Sequence, residues 1–131
     1  MDGDLSTLVL DTSALLFWTT EPSRLSRSAA QAIPTASALI ISSITVWEIG
    51  LKVVRGHLTL ATTLRNYTQR LQAVGVEIRS VDEECWLRNL ELKWSHRDPA
   101  DRTIVALADL LDAPLVTSDA TIAAFYPRTI W

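Results

Sequence analysis

Four acids in this chain stand where the local pattern changes from one kind of element to another. Asp11 closes the apolar run Leu5 to Leu10, and Asp119 follows Leu115-Val116-Thr117-Ser118. In an open parallel sheet, ligands bind beyond the carboxyl ends of the strands, where strand order reverses. If these two strands are neighbours across the reversal, both carboxylates face one crevice. Glu48 lies early in a helical pattern that starts at the same edge, on a polar stripe with Lys52 and Arg55. Asp101 lies one turn into another helix and leads the row Ile104, Val105, Ala108 and Leu111, which points it toward the sheet from a helix N-terminus. Carboxylates gathered this way repel and raise one another's pKa unless cations neutralise them. All-oxygen ligands select hard ions, Mg²⁺ or Mn²⁺. Two such ions about 4 Å apart activate a water and stabilise the leaving oxygen in phosphodiester hydrolysis.

Each acid also has an ordinary structural role open to it. Asp11 and Asp119 can cap the helices that follow them. Thr45-x-x-Glu48 matches a capping box, and Glu48 with Lys52 makes an i,i+4 pair worth about 0.2–0.5 kcal/mol. Asp98 directly precedes Pro99 and is therefore the expected cap of its helix, which leaves Asp101 as the site candidate.

The elements that must position these residues alternate. Strands are expected at Leu5–Leu10, Ala38–Ile41, Val76–Val81, Leu115–Thr117 and Arg128–Trp131. Helices are expected from Ser13 to Trp18, capped by Thr12 or Ser13, and from Ser23 to Ile33, stopped by Pro34. Others run from Ile44 to Val54 before Gly56, from Leu60 to Val74 before Gly75, from Ser80 or Asp82 to about Trp94, from Asp98-Pro99 to Leu111, and from Thr121 to Phe125. Strands alternating with helices, without tight hairpin signals, predict an α/β fold: a doubly wound parallel sheet with helices on both faces.

With 131 residues, 48% hydrophobic and 21% charged, the chain is expected to be one globular domain over residues 1–131, with no disordered or low-complexity part. Charge is uneven. Residues 1–23 hold four acids and no base, residues 24–79 seven bases against two acids, and residues 80–131 nine acids against five bases. A sequence pI near 5.3 argues against general nucleic-acid binding by charge, although 10 of the 12 bases are Arg, the type suited to bidentate phosphate contacts. Cys85 is alone and is read as a buried thiol in a reducing compartment. The opening residues lack the basic segment of a secretory leader, and no apolar run nears the roughly 20 residues of a membrane span. A cytoplasmic protein without membrane association is therefore expected.

The segments Leu-Asp11-Thr-Ser-Ala-Leu-Leu, Trp47-Glu48-Ile-Gly-Leu-Lys52, His96-Arg-Asp-Pro-Ala-Asp101-Arg-Thr-Ile-Val-Ala and Leu-Val-Thr117-Ser-Asp119-Ala resemble, in order and spacing, the PIN-domain family. They are most similar to VapC-type toxins of toxin–antitoxin pairs. The resemblance spans residues 8–126. It implies a five-stranded parallel sheet, an Mg²⁺- or Mn²⁺-dependent endoribonuclease acting on RNA, a homodimer, and inhibition by a VapB-type antitoxin. It also implies that Asp11, Glu48, Asp101 and Asp119 are the catalytic, metal-holding acids. Ser13 stands where many relatives have His, and Ala100 where they have a bulky aromatic.

Other chemistry finds less support. His57 and His96 have no partners at zinc spacing and are assigned to surface or cap positions. No Gly-rich phosphate loop or nucleophile elbow is present. A haloacid dehalogenase-like phosphohydrolase using Asp11 as nucleophile is a rival reading, but the second Asp it needs two residues on is Ser13. A non-catalytic α/β interaction module, its acids serving only as caps, is another. Trp18 and Trp94 are the expected partner-facing indoles, and Leu16, Phe17, Trp18, Val53 and Val54 the expected surface for an antitoxin.

Overall fold

Successive strand residues point to opposite faces, yet Leu8, Val9 and Leu10 are all buried, so β1 (Thr7–Leu10) is covered on both sides. The computed structural model describes residues 7–131; the expected strand start at Leu5 and Ser6 lies outside the described residues. With β2 (Ala38–Ser42), β3 (Val76–Arg79), β4 (Leu115–Val116) and β5 (Thr129–Ile130), β1 forms a parallel five-stranded sheet in the order β3-β2-β1-β4-β5. The chain steps from β1 to β2 to β3, then returns to place β4 on the other side of β1. Strand order therefore reverses between β1 and β4, as the sequence pattern requires for Asp11 and Asp119 to share an edge.

The alternation of β1 sorts the core into two layers. Leu8, Leu10, Ile41 and Val116 pack under α1 (Thr12–Thr20), α2 (Arg27–Thr35), α3 (Ser43–Val54) and α4 (Leu64–Ala73). Val9, Ile40 and Leu115 pack under α5 (Glu83–Glu91), α6 (Pro99–Leu111) and α7 (Ala120–Phe125). Cys85 is a free, buried thiol in the second layer, where burial pushes its pKa up and keeps it unreactive. No helix among the described residues is long and apolar enough to cross a membrane.

Capping groups account for the places where elements differ from expectation. Asp11 itself, rather than Thr12 or Ser13, caps α1, and Asp119 caps α7. The expected helix over residues 23–33 is two pieces. A 3-10 turn at Pro22–Arg24 precedes α2, which starts because the Ser26 hydroxyl accepts from the Ala29 N–H at 3.1 Å, and which runs on through Pro34 because the lost hydrogen bond falls in its last turn. Thr63 caps α4, so Leu60 precedes that helix, and Asp82 starts α5, which ends at Glu91 and leaves Trp94 in coil. Gly56 and Gly75 follow α3 and α4 with φ of 75° and 96°, the left-handed conformation in which glycine closes a helix.

Asp98 accepts from the N–H groups of Ala100 (2.9 Å) and Asp101 (3.1 Å), with Pro99 opening α6 as expected. Asp98→Ala is accordingly expected to lower unfolding stability by about 0.5–2 kcal/mol, measured by urea denaturation in EDTA; an unchanged midpoint would contradict the capping role.

Candidate active site

The four acids reach one end of the sheet by three routes. Asp11 and Asp119 come directly from the ends of the paired strands β1 and β4. Glu48 comes from α3, and Asp101 from the first turn of α6. The proximity of their charges is felt at four of the six pairs: Asp101 and Asp119 act on Asp11, Asp119 acts on Asp101, and Asp101 acts on Glu48, with Asp98 adding its charge at Asp101 and Glu48.

Each carboxylate is held by a donor from the protein. Asp11, 5% exposed, accepts from the Ala14 N–H at 2.8 Å and is hydrogen-bonded by the buried Thr117 hydroxyl. Glu48 accepts from the Thr12 hydroxyl, which also pairs with Thr45 at 3.1 Å. Asp101 pairs with His96 Nε2 at 2.8 Å. Asp119 accepts from the N–H groups of Thr121 (2.7 Å) and Ile122 (3.2 Å), while its own N–H donates to Thr117 at 3.0 Å. As they stand, no three His, Cys, Asp or Glu side chains among the described residues close around a single point.

These donors do not cancel the cost of burial. Burial is the largest influence on Asp11 and pushes its pKa up to about 6, with the neighbouring acids adding to the rise and Thr117 and the Ala14 N–H opposing it. Burial likewise raises Glu48 against the Thr12 hydrogen bond and the Lys52 charge, and raises Asp101 against its bond to His96. The crevice is thus short of positive charge, and its donor set is all oxygen. That is the chemistry of a hard divalent cation site.

Several sequence expectations need correction. Thr45 does not open a capping box: Ser42 caps α3, accepting from the Ile44 N–H at 3.1 Å, and Thr45 is buried inside the helix on the face shared with Glu48. His96 is neither a cap nor a loose surface residue, since it holds Asp101. Trp94 is half-buried and stacked on Phe125, with centroids 4.7 Å apart, and with it lines an open cavity of about 500 Å³. The exposed indoles are Trp47, Trp86 and Trp131, of which Trp47, 57% exposed, and Trp86, 46% exposed, line an apolar cavity of about 390 Å³ with Ile44, Val81 and Pro99. Leu16 is core, and Val53 and Val54 lie at the far end of α3 from the acids. Trp18 does line an open cavity, of about 420 Å³, with Tyr67, Leu71 and Val74.

The sequence pattern offered Thr12 only as a helix cap, not as a partner of Glu48, and did not single out Arg102. A signal existed for Thr12, a hydroxyl immediately after the strand-closing acid. None existed for Arg102, whose partners are backbone carbonyls of the last turn of α5 and of the coil after it, together with the Asn89 side chain.

Comparison with known proteins is consistent with this geometry. The family model described as PIN domain matches residues 8–126. Ribonuclease VapC22 of Mycobacterium tuberculosis is 31% identical over 131 residues, covering 97% of this chain and all of the relative. Among solved structures, a toxin–antitoxin complex from Klebsiella pneumoniae contains a similar chain, with 21% identity, a TM-score of 0.64 and coverage of 95% of this chain and 96% of that one. VapBC2 from Rickettsia felis, bound to a DNA fragment from its promoter, gives 17% identity, a TM-score of 0.65 and coverage of 94% and 95%.

The raised pKa of Asp11 has a stability consequence with a definite sign. The unfolded chain gives up this proton near pH 4 and the folded chain near 6, so stability contributed by protonated Asp11 is lost as pH rises across that interval. Asparagine keeps the cap acceptor without the charge. Asp11→Asn is expected to be more stable than the parent chain in EDTA at pH 7, by roughly 1–3 kcal/mol, and indistinguishable from it at pH 4. Chemical denaturation at the two pH values measures this, and a variant less stable at pH 7 would contradict it.

Proposed function

Because the chain belongs to the PIN-domain family, we propose that it is a toxin endoribonuclease that hydrolyses RNA phosphodiester bonds with Mg²⁺ or Mn²⁺, and that Asp11, Glu48, Asp101 and Asp119 hold the ion and form its catalytic centre. The observation that carries the reading is the buried, under-neutralised Asp11 at the β1–β4 reversal, with the charges of Asp101 and Asp119 acting on it. The rival with a phosphorylated Asp11 lacks its second acid, since Ser13 stands there.

The metal-binding reading fits the residues present in kind and in charge. Bound by these acids, one or two such ions supply an acidified water as nucleophile and electrostatic relief for the leaving oxygen. The chain's own part is to aim the acids, with donors that offset part of the cost of their burial. Thr117 links Asp11 to the backbone of Asp119. Thr12 fixes Glu48 against α1, and His96 fixes Asp101.

The similar solved structures are toxin–antitoxin complexes by title. By that likeness the proposal includes a VapB-type antitoxin as inhibitor; the family resemblance of the sequence adds a homodimer as the working unit, and the lone thiol adds the cytoplasm as its place. An inhibitor's Arg or Lys entering the crevice would neutralise the acids in the ion's stead.

Purified chain incubated with cellular RNA is expected to cleave it with added Mg²⁺ or Mn²⁺ and not in EDTA. Asp101→Asn is expected to lose cleavage while its melting curve stays close to that of the parent. Cleavage that persists in EDTA, or in Asp101→Asn, would contradict the proposal.

A further inference from the structure

Residues 92–98, between α5 and α6, form no helix or strand, yet they deliver His96 to Asp101. Arg102 holds them in place. A guanidinium has five N–H donors in a rigid fork, and each has an acceptor here. Nη1 donates to the carbonyls of Trp94 (2.6 Å) and His96 (3.1 Å). Nη2 donates to those of Asn89 (2.6 Å) and Leu92 (3.1 Å), and Nε to Asn89 Oδ1 (3.2 Å). Asn89 is buried and anchored in turn, donating to the Thr103 hydroxyl at 2.9 Å. Backbone carbonyls that helix and sheet would otherwise satisfy are thus gathered onto one side chain.

The imidazole is fixed from a second side. Trp94 stacks on Phe125 at an interplanar angle of 9°, and its other contact is the His96 ring, with centroids 4.8 Å apart. An ionised Asp101 only accepts, so Nε2 is the donor in the 2.8 Å bond to Oδ2. One carboxylate oxygen is occupied and the other is left for the crevice.

Resting on the reading of the four acids as an ion site, we infer that His96 is a positioning residue that orients Asp101 for the cation, and that Arg102 sets His96 by clamping residues 92–98. His96 touches neither substrate nor ion in this role. Hydrogen-bond partners behind a ligating side chain typically change ion affinity by about 10–100-fold when removed. Arg102 acts on the same carboxylate through His96, so the two contributions are in series and not independent.

Calorimetric titration of Mn²⁺ into the full chain, without RNA, tests this for the parent, His96→Ala, His96→Gln, Arg102→Lys and the His96→Ala/Arg102→Lys double variant. His96→Ala is expected to bind Mn²⁺ about 10-fold more weakly or worse, with an unchanged melting curve in EDTA. His96→Gln, whose amide nitrogen can still donate, is expected to recover part of the loss. Arg102→Lys keeps the charge but not the fork, and is expected to weaken binding in the same direction, with the double variant no worse than the weaker single. Parent-like affinity in His96→Ala overturns the inference, as does a Gln variant as weak as Ala, which would make His96 a ligand. An Arg102→Lys chain that loses its fold, or that keeps parent affinity, overturns the clamp. A parent chain that binds no Mn²⁺ is a separate outcome: it overturns the ion-site reading beneath.

Discussion

Carboxylates gathered at one sheet edge, one of them buried and three half-buried, repel one another, and a protein tolerates this by offering each of them a donor. Here those donors are part of the fold itself. Asp11 and Asp119 accept the free N–H groups of the helices they cap, Glu48 takes the Thr12 hydroxyl, and Asp101 takes His96. The groups that start α1 and α7 are thus the same groups that build the crevice. Capping and the proposed ion-holding role are compatible at these positions, because the cap occupies one oxygen and orients the carboxylate.

The residual imbalance is as informative as the donors. Asp11 still has its pKa pushed up to about 6 and Asp101 is raised despite its partner, which means that the ion-free chain holds its acids at a cost in stability. Natural sequences violate local consistency mainly where function requires it. On the proposed reading, a divalent cation would relieve the imbalance, as would a basic side chain of an inhibitor.

The sheet edge was legible in the sequence because its determinants are local. Apolar runs, each closed by an acid, mark β1 and β4, and the alternation of strands and helices predicts a parallel order with a reversal. Asp98 before Pro99 was legible for the same reason, a cap signal contained in adjacent residues. What escaped depends on how the chain folds in space, which residue spacing alone does not encode. Thr45 reads as a cap from its spacing to Glu48, but the Ser42 hydroxyl begins the helix and Thr45 turns inward toward Thr12. His96 has no metal partner at any sequence spacing; its partner is an acid five residues on, reached because Arg102 folds the intervening coil. The indoles followed burial rather than composition: Trp94 was claimed by Phe125, whereas Trp47 and Trp86 were left facing outward.

The central claim is that four carboxylates from four elements act as one cation site. Anomalous diffraction from crystals grown with Mn²⁺, recorded on both sides of the manganese absorption edge, tests it most directly. The account predicts a manganese peak in the crevice within coordination distance of Asp11 and at least one of Glu48, Asp101 and Asp119. A crevice without anomalous density at millimolar Mn²⁺, or a peak bound only by acids elsewhere on the surface, would contradict it.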